Sequence, residues 1–193
     1  MTIDNPNDTR TMIIDVAQDM LQRQSISGVS FQSLADRIGI KKGSMYYHFK
    51  SKDELAIAIL ERACTDLKTS FSRGKHKTAV QQLDYFLMIY EKFIGPGQRM
   101  CPGGCFASEW QKISKPVKES VKKVLNVQIN GIRDILIYGN ESGEFNHHGQ
   151  EIQQVASWII SSLQGSILTS RVEENQMHFD FSVQAIKRFL YRV

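Results

Sequence analysis

The sequence of 193 residues lacks several features that define other classes of protein. It contains no run of about 18 apolar residues, which excludes a transmembrane helix. Its first ten residues are polar and do not resemble the apolar core of a secretory signal. Strand-like alternation is negligible, and internal repeats and low-complexity segments are absent. With only three cysteines, which we expect to be reduced, the sequence predicts a cytoplasmic all-α protein with no membrane partner.

The motifs of the commonest catalytic sites are also missing. The sequence has no glycine-rich nucleotide loop, no nucleophile elbow and no plausible triad. Cys101 and Cys105 leave a thiol oxidoreductase as an alternative, but the expected βαβ setting is not predicted. A metal site joining these cysteines to His147 and His148 is a weak alternative, because CxxxC is not the usual CxxC spacing. We therefore predict no enzyme, no metal and no cofactor.

Residues 29–55 are predicted to form two short helices joined at a glycine, followed by a third helix that begins near Ser51. Ser30 is placed to cap the first of these helices, and Phe31, Leu34 and the apolar residues after them fall at helical spacing. Gly39 can adopt the positive φ that a sharp helix end requires. This arrangement is the helix-turn-helix plan, in which the second helix enters the major groove of DNA.

The charge of this segment supports a role in binding phosphates. Between residues 37 and 52 there are five basic residues and no acidic one, a local charge of +5 in a chain whose net charge is +4. The five residues are Arg37, Lys41, Lys42, Lys50 and Lys52. A compact basic patch with hydroxyl and imidazole donors is typical of a nucleic-acid-binding surface, although a solvated charged face is the alternative for a short run.

The same segment resembles the DNA-binding domain of the TetR family of bacterial transcriptional regulators. The resemblance covers roughly residues 10–60 and depends on Ala17, Leu21, Leu34-Ala35, Gly39-Ile40 and the sequence Tyr46-Tyr47-His48-Phe49-Lys50-Ser51-Lys52-Asp53-Glu54-Leu55. One departure is Lys41, which stands where the family often has a capping serine. The resemblance implies an all-α fold with a helix-turn-helix DNA-binding domain at 1–52 and an effector-binding and dimerisation domain at 53–193.

The resemblance also implies roles for individual residues of this segment. Tyr47, His48 and Lys52 match positions that contact phosphates, which fix the register of the protein on DNA. Ser30 and Gln32 are candidates for a neighbouring phosphate or a base. The positions nearest the base edges are Lys41, Lys42, Ser44 and Met45, and Gly43 would permit close approach of the backbone. Phe49 is expected in the core, and Tyr46 is divided between a core role and a DNA-binding role.

The rest of the chain is predicted to be helical. Helices are expected over residues 52–73, 78–94, 105–113, 115–140, 150–171 and 176–192, with turns at the glycine-containing segments between them. Within 150–171 a stripe of small residues recurs every four positions, and within 176–192 apolar residues follow a heptad-like seam. These residues are Ser157, Ser161, Gly165, Thr169, Phe179, Val183, Ile186 and Leu190. The family resemblance implies that the two helices form a homodimer interface for reading a palindromic operator, whereas the pattern alone also fits intrachain core.

Two further features concern control of DNA binding. The resemblance implies a small-molecule pocket among the middle helices, where the aromatic-rich residues are Phe86, Met88, Tyr90, Phe93, Phe106 and Trp110. Ordinary core is the alternative for this set. Cys105 is predicted at a helix N-terminus, where its thiolate would be stabilised, and Cys101 would be its resolving partner. An oxidant or electrophile sensor and a buried structural cysteine therefore both remain open, and some TetR-type regulators respond through a cysteine near this position.

Three classes of function follow. The first is a ligand- or redox-gated repressor that binds double-stranded DNA. The second is the thiol enzyme, and the third is an interaction adaptor that has kept the fold without DNA binding. The intact set Tyr47, His48 and Lys52 favours the repressor over the adaptor.

Overall fold

The computed structural model describes residues 6–24, 26–95 and 99–191, apart from the side chains of residues 6, 7, 93 and 94. Its helices are α1 (Pro6–Arg23), α2 (Phe31–Ile38), α3 (Lys42–His48), α4 (Lys52–Gly74), α5 (Ala79–Ile94), α6 (Pro102–Ala107), α7 (Lys115–Glu141), α8 (Ile152–Val172) and α9 (Met177–Leu190). A single turn of 3-10 helix at Ile26–Gly28 joins α1 to α2. The all-α prediction is confirmed. None of the described helices is both long and apolar enough to cross a membrane.

The chain divides into two compact units, with boundaries inside α4, immediately before α6 and inside α7. The first unit comprises Met1–Ala63 and Pro102–Lys122, and the second comprises Cys64–Cys101 and Lys123–Val193. This division differs from a single boundary at residue 52. The physical reason is that α6 supplies apolar side chains to the core of the first unit, so a late segment of the chain completes an early one.

The core of the first unit joins the three helices of the helix-turn-helix region to α4. Ile13, Leu34, Met45, Phe49 and Leu60 are completely buried. Each such side chain contributes roughly 1.5–3 kcal/mol through burial. The guanidinium of Arg62 on α4 also donates to the Asp15 carboxylate and the Gln18 side-chain oxygen on α1, so a polar contact at the rim supplements the apolar packing.

The second unit is built around α5, α7, α8 and α9. Its buried core includes Leu83, Ile132, Ile159 and Ile186. Helix α5 begins with a capping box, in which Thr78 Oγ1 accepts from the Gln81 N–H and the Gln81 side chain accepts from the Thr78 N–H. The Glu144 carboxylate adds two contacts at the same helix end, from the N–H groups of residues 79 and 80, both at 3.1 Å. These contacts lower the pKa of Glu144, against the opposing effect of its partial burial.

Candidate nucleic-acid interface

The turn between α2 and α3 is fixed by backbone and side-chain hydrogen bonds. At the start of α2, Ser30 Oγ accepts from the Ser33 N–H at 3.0 Å, and Ser33 Oγ accepts from the Ser30 N–H at 3.0 Å. At its end, Gly39 has φ 81°, and the N–H groups of Gly39 and Ile40 both donate to Ala35 O, at 2.9 and 3.0 Å. A left-handed residue at this point satisfies helix-end carbonyl groups while it reverses the chain. The predicted cap and glycine turn are therefore confirmed.

Helix α3 presents its first residues to solvent. Lys41, Lys42 and Gly43 are exposed, and Ser44 is half-buried. Lys41 occupies the N-cap position without a side-chain capping bond, so its cationic side chain stays outside the helix end. With no Cβ and nothing within 4 Å of the position that a Cβ would take, Gly43 leaves the backbone open to a close approach.

The candidate phosphate contacts lie at the far end of α3 and the start of α4. Tyr47 is 69% exposed, and its ring packs edge-on against the half-buried His48, with the centroids 5.0 Å apart. Lys52 is the exposed first residue of α4. Phenol, imidazole and ammonium groups can all donate to phosphate oxygens. These three candidates thus lie at the end of α3 and the start of α4, on either side of one helix–helix junction.

Tyr46 lies between the core and the surface of the first unit. It is 48% exposed, yet its ring packs edge-on against the buried Phe31 with a centroid separation of 5.1 Å. Its carbonyl oxygen accepts from Lys50 Nζ at 3.1 Å, which ties that ammonium group to the end of α3.

Three of the predicted base or phosphate contacts are modified by the structure. Met45 is completely buried, so its predicted contact with a base edge is wrong and the side chain belongs to the core. Ser30 uses its hydroxyl as the α2 cap and donates from it to Ser33 Oγ at 3.0 Å. Gln32 is exposed, but its amide donates to Asp36 Oδ1 at 2.8 Å, a bond that DNA would have to displace.

The local charge is also redistributed by folding. Arg37 pairs with Asp19 of α1, with 3.5 Å between Nη2 and Oδ2. Because this pairing offsets one of the five positive charges, the basic surface depends mainly on lysines. Lys41, Lys42, Lys50 and Lys52 are all exposed.

One polar contact of the first unit was missed by the sequence reasoning. Glu109 Oε1 accepts from the Ser27 N–H at 3.2 Å, and Oε2 accepts from Ser27 Oγ at 2.5 Å. Lys112 Nζ lies 3.1 Å from Glu109 Oε2. These bonds, with the Ser27 hydroxyl first and Lys112 second, lower the pKa of Glu109 to about 2. The i,i+3 spacing of Glu109 and Lys112 gives a local signal, but nothing in the sequence connects either residue to Ser27.

The helix that carries Cys105 differs from the one predicted. The sequence predicts a helix over 105–113 with Cys105 at its start, whereas α6 spans Pro102–Ala107 and Cys105 is its fourth residue. The first turn accommodates Pro102, whose missing N–H costs nothing there, and turns follow from Ser108 onwards. Cys105 is 3% exposed. The predicted N-terminal position of this thiol is therefore wrong, and its environment is a packed interior.

Cys101 lies in the second unit and has a polar neighbour. It is buried, and Gln128 Nε2 donates to its Sγ atom at 3.6 Å. Nearby, Gln164 Nε2 donates to the hydroxyl oxygen of Tyr90 at 3.2 Å. Burial is the main cause that raises the pKa of Tyr90 well above its ordinary value, followed by the charge of Cys101. A small polar cluster thus occurs inside an otherwise apolar unit.

Among the residues that the structure describes, the candidate effector-pocket residues divide between the two units: Phe106 and Trp110 lie in the first, and Phe86, Met88 and Tyr90 lie in the second. Phe106 lines a cavity of about 40 Å³ in the first unit, and Phe86 lines one of about 10 Å³ in the second. Trp110 is half-buried in the first unit beneath the Lys118 ammonium, and Met88 is 37% exposed. The Phe93 side chain lies outside the described residues. Both cavities are far smaller than the roughly 300–1,000 Å³ of typical ligand sites.

The predicted dimer residues separate into two groups. On α8, Ser161, Gly165 and Thr169 are exposed and Ser157 is half-buried. The α9 seam instead faces inward: Phe179, Ile186 and Leu190 are buried in the core of the second unit, with Val183 packed against them. The seam is therefore intrachain core, and its predicted role in the interface is wrong. The apolar side chains that α8 and α9 do expose are Trp158, Leu168, Val172, Met177 and Phe181.

Within the described part of the chain, no group of three or more histidine, cysteine, aspartate or glutamate side chains is arranged to hold a metal ion. His147 and His148 instead contact carbonyl oxygens, with 2.6 Å from His147 Nδ1 to Gln150 O and 2.9 Å from His148 Nε2 to Phe189 O. They therefore organise the loop between α7 and α8.

Comparison with known proteins agrees with this geometry. A family model described as bacterial regulatory proteins of the tetR family matches residues 13–59, which include α2, the glycine turn and α3. The chain is 25% identical over 175 residues to the transcriptional repressor DhaR of Mycobacterium sp. (strain GP1), covering 89% of this chain and 86% of that protein. It is 24% identical over 179 residues to the transcriptional repressor NemR of Escherichia coli (strain K12), covering 85% and 87%.

Solved structures support the fold over nearly the whole chain. A TetR transcriptional regulator from Legionella pneumophila is 26% identical, with a TM-score of 0.82 and 97% and 98% of the two chains covered. The reduced form of E. coli NemR gives a TM-score of 0.80 at 20% identity, with 95% and 97% covered. A TetR-family regulator from Agrobacterium tumefaciens gives 0.88 at 18% identity, with 96% and 99% covered. Residues 13–59 thus match the tetR family of bacterial regulatory proteins, and the whole chain has the fold of TetR-type regulators.

Proposed function

We propose that this protein is a cytoplasmic repressor that binds a palindromic DNA operator as a homodimer and is released by a small-molecule effector or by cysteine modification. The observation that carries the proposal is the exposure of Lys41, Lys42, Tyr47 and Lys52 on and beside a helix whose opposite face, Met45, is fixed in the core. The names of DhaR and NemR describe both relatives as repressors, which supports the same direction of control here.

In this mechanism the two ends of α3 have different tasks. Lys42 at the exposed N-terminal end would donate to acceptors on a guanine edge in the major groove. Tyr47, His48 and Lys52 would donate to phosphates and hold the helix in register without reading sequence. The lysine-rich surface makes binding strongly dependent on salt, because each neutralised phosphate releases counterions.

A dimer would form through the exposed face of α8. Gly165 and Ser161 allow close approach of a partner helix, and the exposed Trp158, Leu168 and Phe181 supply apolar area around them. Exposed apolar side chains that form one patch on a monomer commonly mark a protein–protein interface. Two-fold symmetry would then place two α3 helices on two half-sites, about 34–36 Å apart on successive major grooves.

Control by thiol chemistry would use Cys105. A peroxide would oxidise its thiolate to a sulfenic acid and be reduced to an alcohol or water, and a second thiol would condense with the sulfenic acid and release water. A solved structure of NemR is described as a reduced form, so oxidation state is a variable for that relative. Because Cys105 is buried, an added group must displace its neighbours.

The test is selection of an operator from random DNA, followed by affinity measurements with reduced and with peroxide-treated protein. We expect binding to a palindrome, and loss of that binding on oxidation in the wild type and in Cys64→Ser but not in Cys105→Ser. Unchanged binding after demonstrated thiol oxidation would contradict thiol control and indicate a non-covalent effector. Failure to select any sequence would contradict the repressor itself.

A further inference from the structure

We propose that Glu109 is a positioning residue for DNA binding, and that it couples α6 to the helix-turn-helix by holding the 3-10 turn between α1 and α2. The part of this proposal that concerns DNA rests on the proposed function. The contact itself does not, because it is a feature of the first unit that can be measured without DNA.

The first argument is the geometry of the carboxylate. Its two oxygens accept from the backbone N–H and the hydroxyl of Ser27, at 3.2 and 2.5 Å. The Glu109 side chain is only 10% exposed, whereas its partner Lys112 is 70% exposed. Charge-assisted bonds from two groups of one residue fix both its position and its orientation. A Glu–Lys pair on an open surface would fix neither the position nor the orientation of another residue.

The second argument is the place of Ser27 in the chain. It is the middle residue of the 3-10 turn Ile26–Gly28, whose end leads within two residues to Ser30, the cap of α2. Within the turn, the Val29 N–H donates to Ile26 O at 3.1 Å. Displacement of Ser27 would therefore be transmitted to the start of α2 and so to the turn that orients α3.

The third argument is that hydrogen bonds connect Glu109 and its neighbour Ser108 to the end of α6. The Glu109 N–H donates to Phe106 O at 3.2 Å, and Ser108 Oγ donates to Cys105 O at 2.8 Å. Phe106 lines the cavity formed by α1, α2 and α4, together with Leu21, Leu34 and others. The segment 105–109 thus contacts the helix-turn-helix region twice, through an apolar ring and through a carboxylate.

Together these contacts make the turn sensitive to changes in α6. Cys105 and Phe106 are each 3% exposed, and a close-packed interior cannot take extra atoms without shifting backbone or side chains. A larger group at position 105 would move this segment, and the Ser27–Glu109 bonds would carry that movement to α2. Without the Glu109 carboxylate, a larger group at position 105 would displace the start of α2 less.

The experiment measures amide hydrogen exchange at Ser27 and operator affinity in Glu109→Ala and Glu109→Gln. The matched control is Glu119→Ala, because Glu119 pairs with Lys122 at the same i,i+3 spacing in the same unit, with 2.8 Å between Nζ and Oε1. We expect exchange at Ser27 to accelerate about tenfold in Glu109→Ala and affinity to fall about tenfold, which is the size of one charge-assisted hydrogen bond. Glu109→Gln should give a smaller loss, and the control should change neither quantity.

A double-mutant cycle tests the coupling. Cys105→Met enlarges the α6 side chain, and we expect it to weaken operator binding and accelerate exchange at Ser27 in the wild type. Both effects should shrink several-fold when Glu109 is already alanine. Additive effects, or an unchanged Ser27 exchange in Glu109→Ala, would overturn the proposal. One outcome separates the two proposals. If neither the wild type nor any variant binds DNA, but hydrogen exchange at Ser27 responds as expected, the repressor function is wrong and the structural coupling stands.

Discussion

The side-chain amide of Gln128 on α7 donates to the sulfur of Cys101 across 3.6 Å inside the second unit. Cys105, only four positions further on, lies in α6 of the first unit beside Phe106. Two cysteines that form a CxxxC motif in the sequence therefore have different surroundings in the structure. Cys101 belongs to a buried polar cluster with Tyr90, while Cys105 lies at a packed junction of the DNA-binding unit.

The first prediction concerns that polar cluster. Replacing Gln128, which is 3% exposed, by leucine should lower the free energy of unfolding by about 1–3 kcal/mol, because it removes the amide donor of buried groups. Urea denaturation measures the change. Asn130→Leu on the exposed face of the same helix is the control, and we expect it to stay within about 0.5 kcal/mol. Equal effects of the two changes would show that the cluster has no special energetic role.

The second prediction separates stability from recognition within α3. Met45→Ala should destabilise the protein by about 2–5 kcal/mol, because it opens a cavity in the core, and it should leave the selected base preference unchanged. Lys42→Ala should do the reverse, altering base preference with little effect on stability. Thermal unfolding and operator selection measure the two properties. Uniform weakening by Lys42→Ala, without a change of preference, would count against direct readout by this residue.

The third prediction concerns the phosphate contacts. Lys52→Ala should weaken binding to all DNA sequences and reduce the slope of log affinity against log salt by about one. Lys68→Ala, an exposed lysine further along the same helix but in the second unit, should leave the slope unchanged. Titration of binding over a range of salt concentrations distinguishes them. An unaltered slope in Lys52→Ala would remove this residue from the phosphate-binding set.

The fourth prediction uses two glycines in helices of the second unit. A Cβ at Gly131 would lie 2.2 Å from the ring of Phe71, whereas a Cβ at Gly165 would meet nothing within 4 Å. Gly131→Ala should therefore be destabilising despite a gain of about 1 kcal/mol in helix propensity, since overpacking costs about 1–3 kcal/mol. Phe71→Leu should restore part of the loss. A stabilised Gly131→Ala would be incompatible with this tight contact.

At Gly165 the corresponding change should affect assembly only. Since a Cβ at Gly165 meets nothing within 4 Å, we expect Gly165→Leu to leave folding of the chain intact, whereas in the proposed dimer it would separate the two α8 helices. We expect normal thermal unfolding of the chain at low concentration and a weaker dimer by analytical ultracentrifugation. A dimer of unaltered affinity would place the interface elsewhere.

The fifth prediction concerns pH. The pKa of Glu109 falls from its ordinary value of 4.5 to about 2 on folding. Its contribution to stability is therefore complete above about pH 4.5 and disappears as the pH falls through about 2. The difference in stability between the wild type and Glu109→Gln should shrink over that window. A difference that is constant from pH 6 to pH 2 would show that the carboxylate charge is not involved.

The features that could be predicted from the sequence are those that depend on residues close together in the chain. Ser30 and Gly39 act within three or four residues of themselves, so the cap and the turn that they form were predicted from the sequence and are confirmed. The family motif around Tyr47 likewise identified the helix-turn-helix, because those residues are consecutive in the chain.

Properties that depend on distant segments could not be predicted. The apolar spacing from Phe179 to Leu190 is the same whether that face packs within the chain or against a partner, and only the positions of α5, α7 and α8 decide between them. Met45 fits a recognition helix by spacing, but whether it faces DNA or core depends on the neighbouring helices. The contact between Ser27 and Glu109 spans 82 positions, and no periodicity indicates it.

The discontinuity of the first unit has a consequence for how the protein is made. The α1–α4 segment leaves the ribosome before α6. The apolar residues of α1, α2 and α4 that line the cavity therefore lack the Phe106 ring until residue 106 has been synthesised. At about 5–20 residues per second, this delay amounts to several seconds after the helix-turn-helix itself has emerged. During that interval the nascent chain exposes apolar surface around Leu21, Leu34 and Ile59, which would attract chaperones. We therefore expect the protein to become competent for DNA binding late in translation rather than at its start.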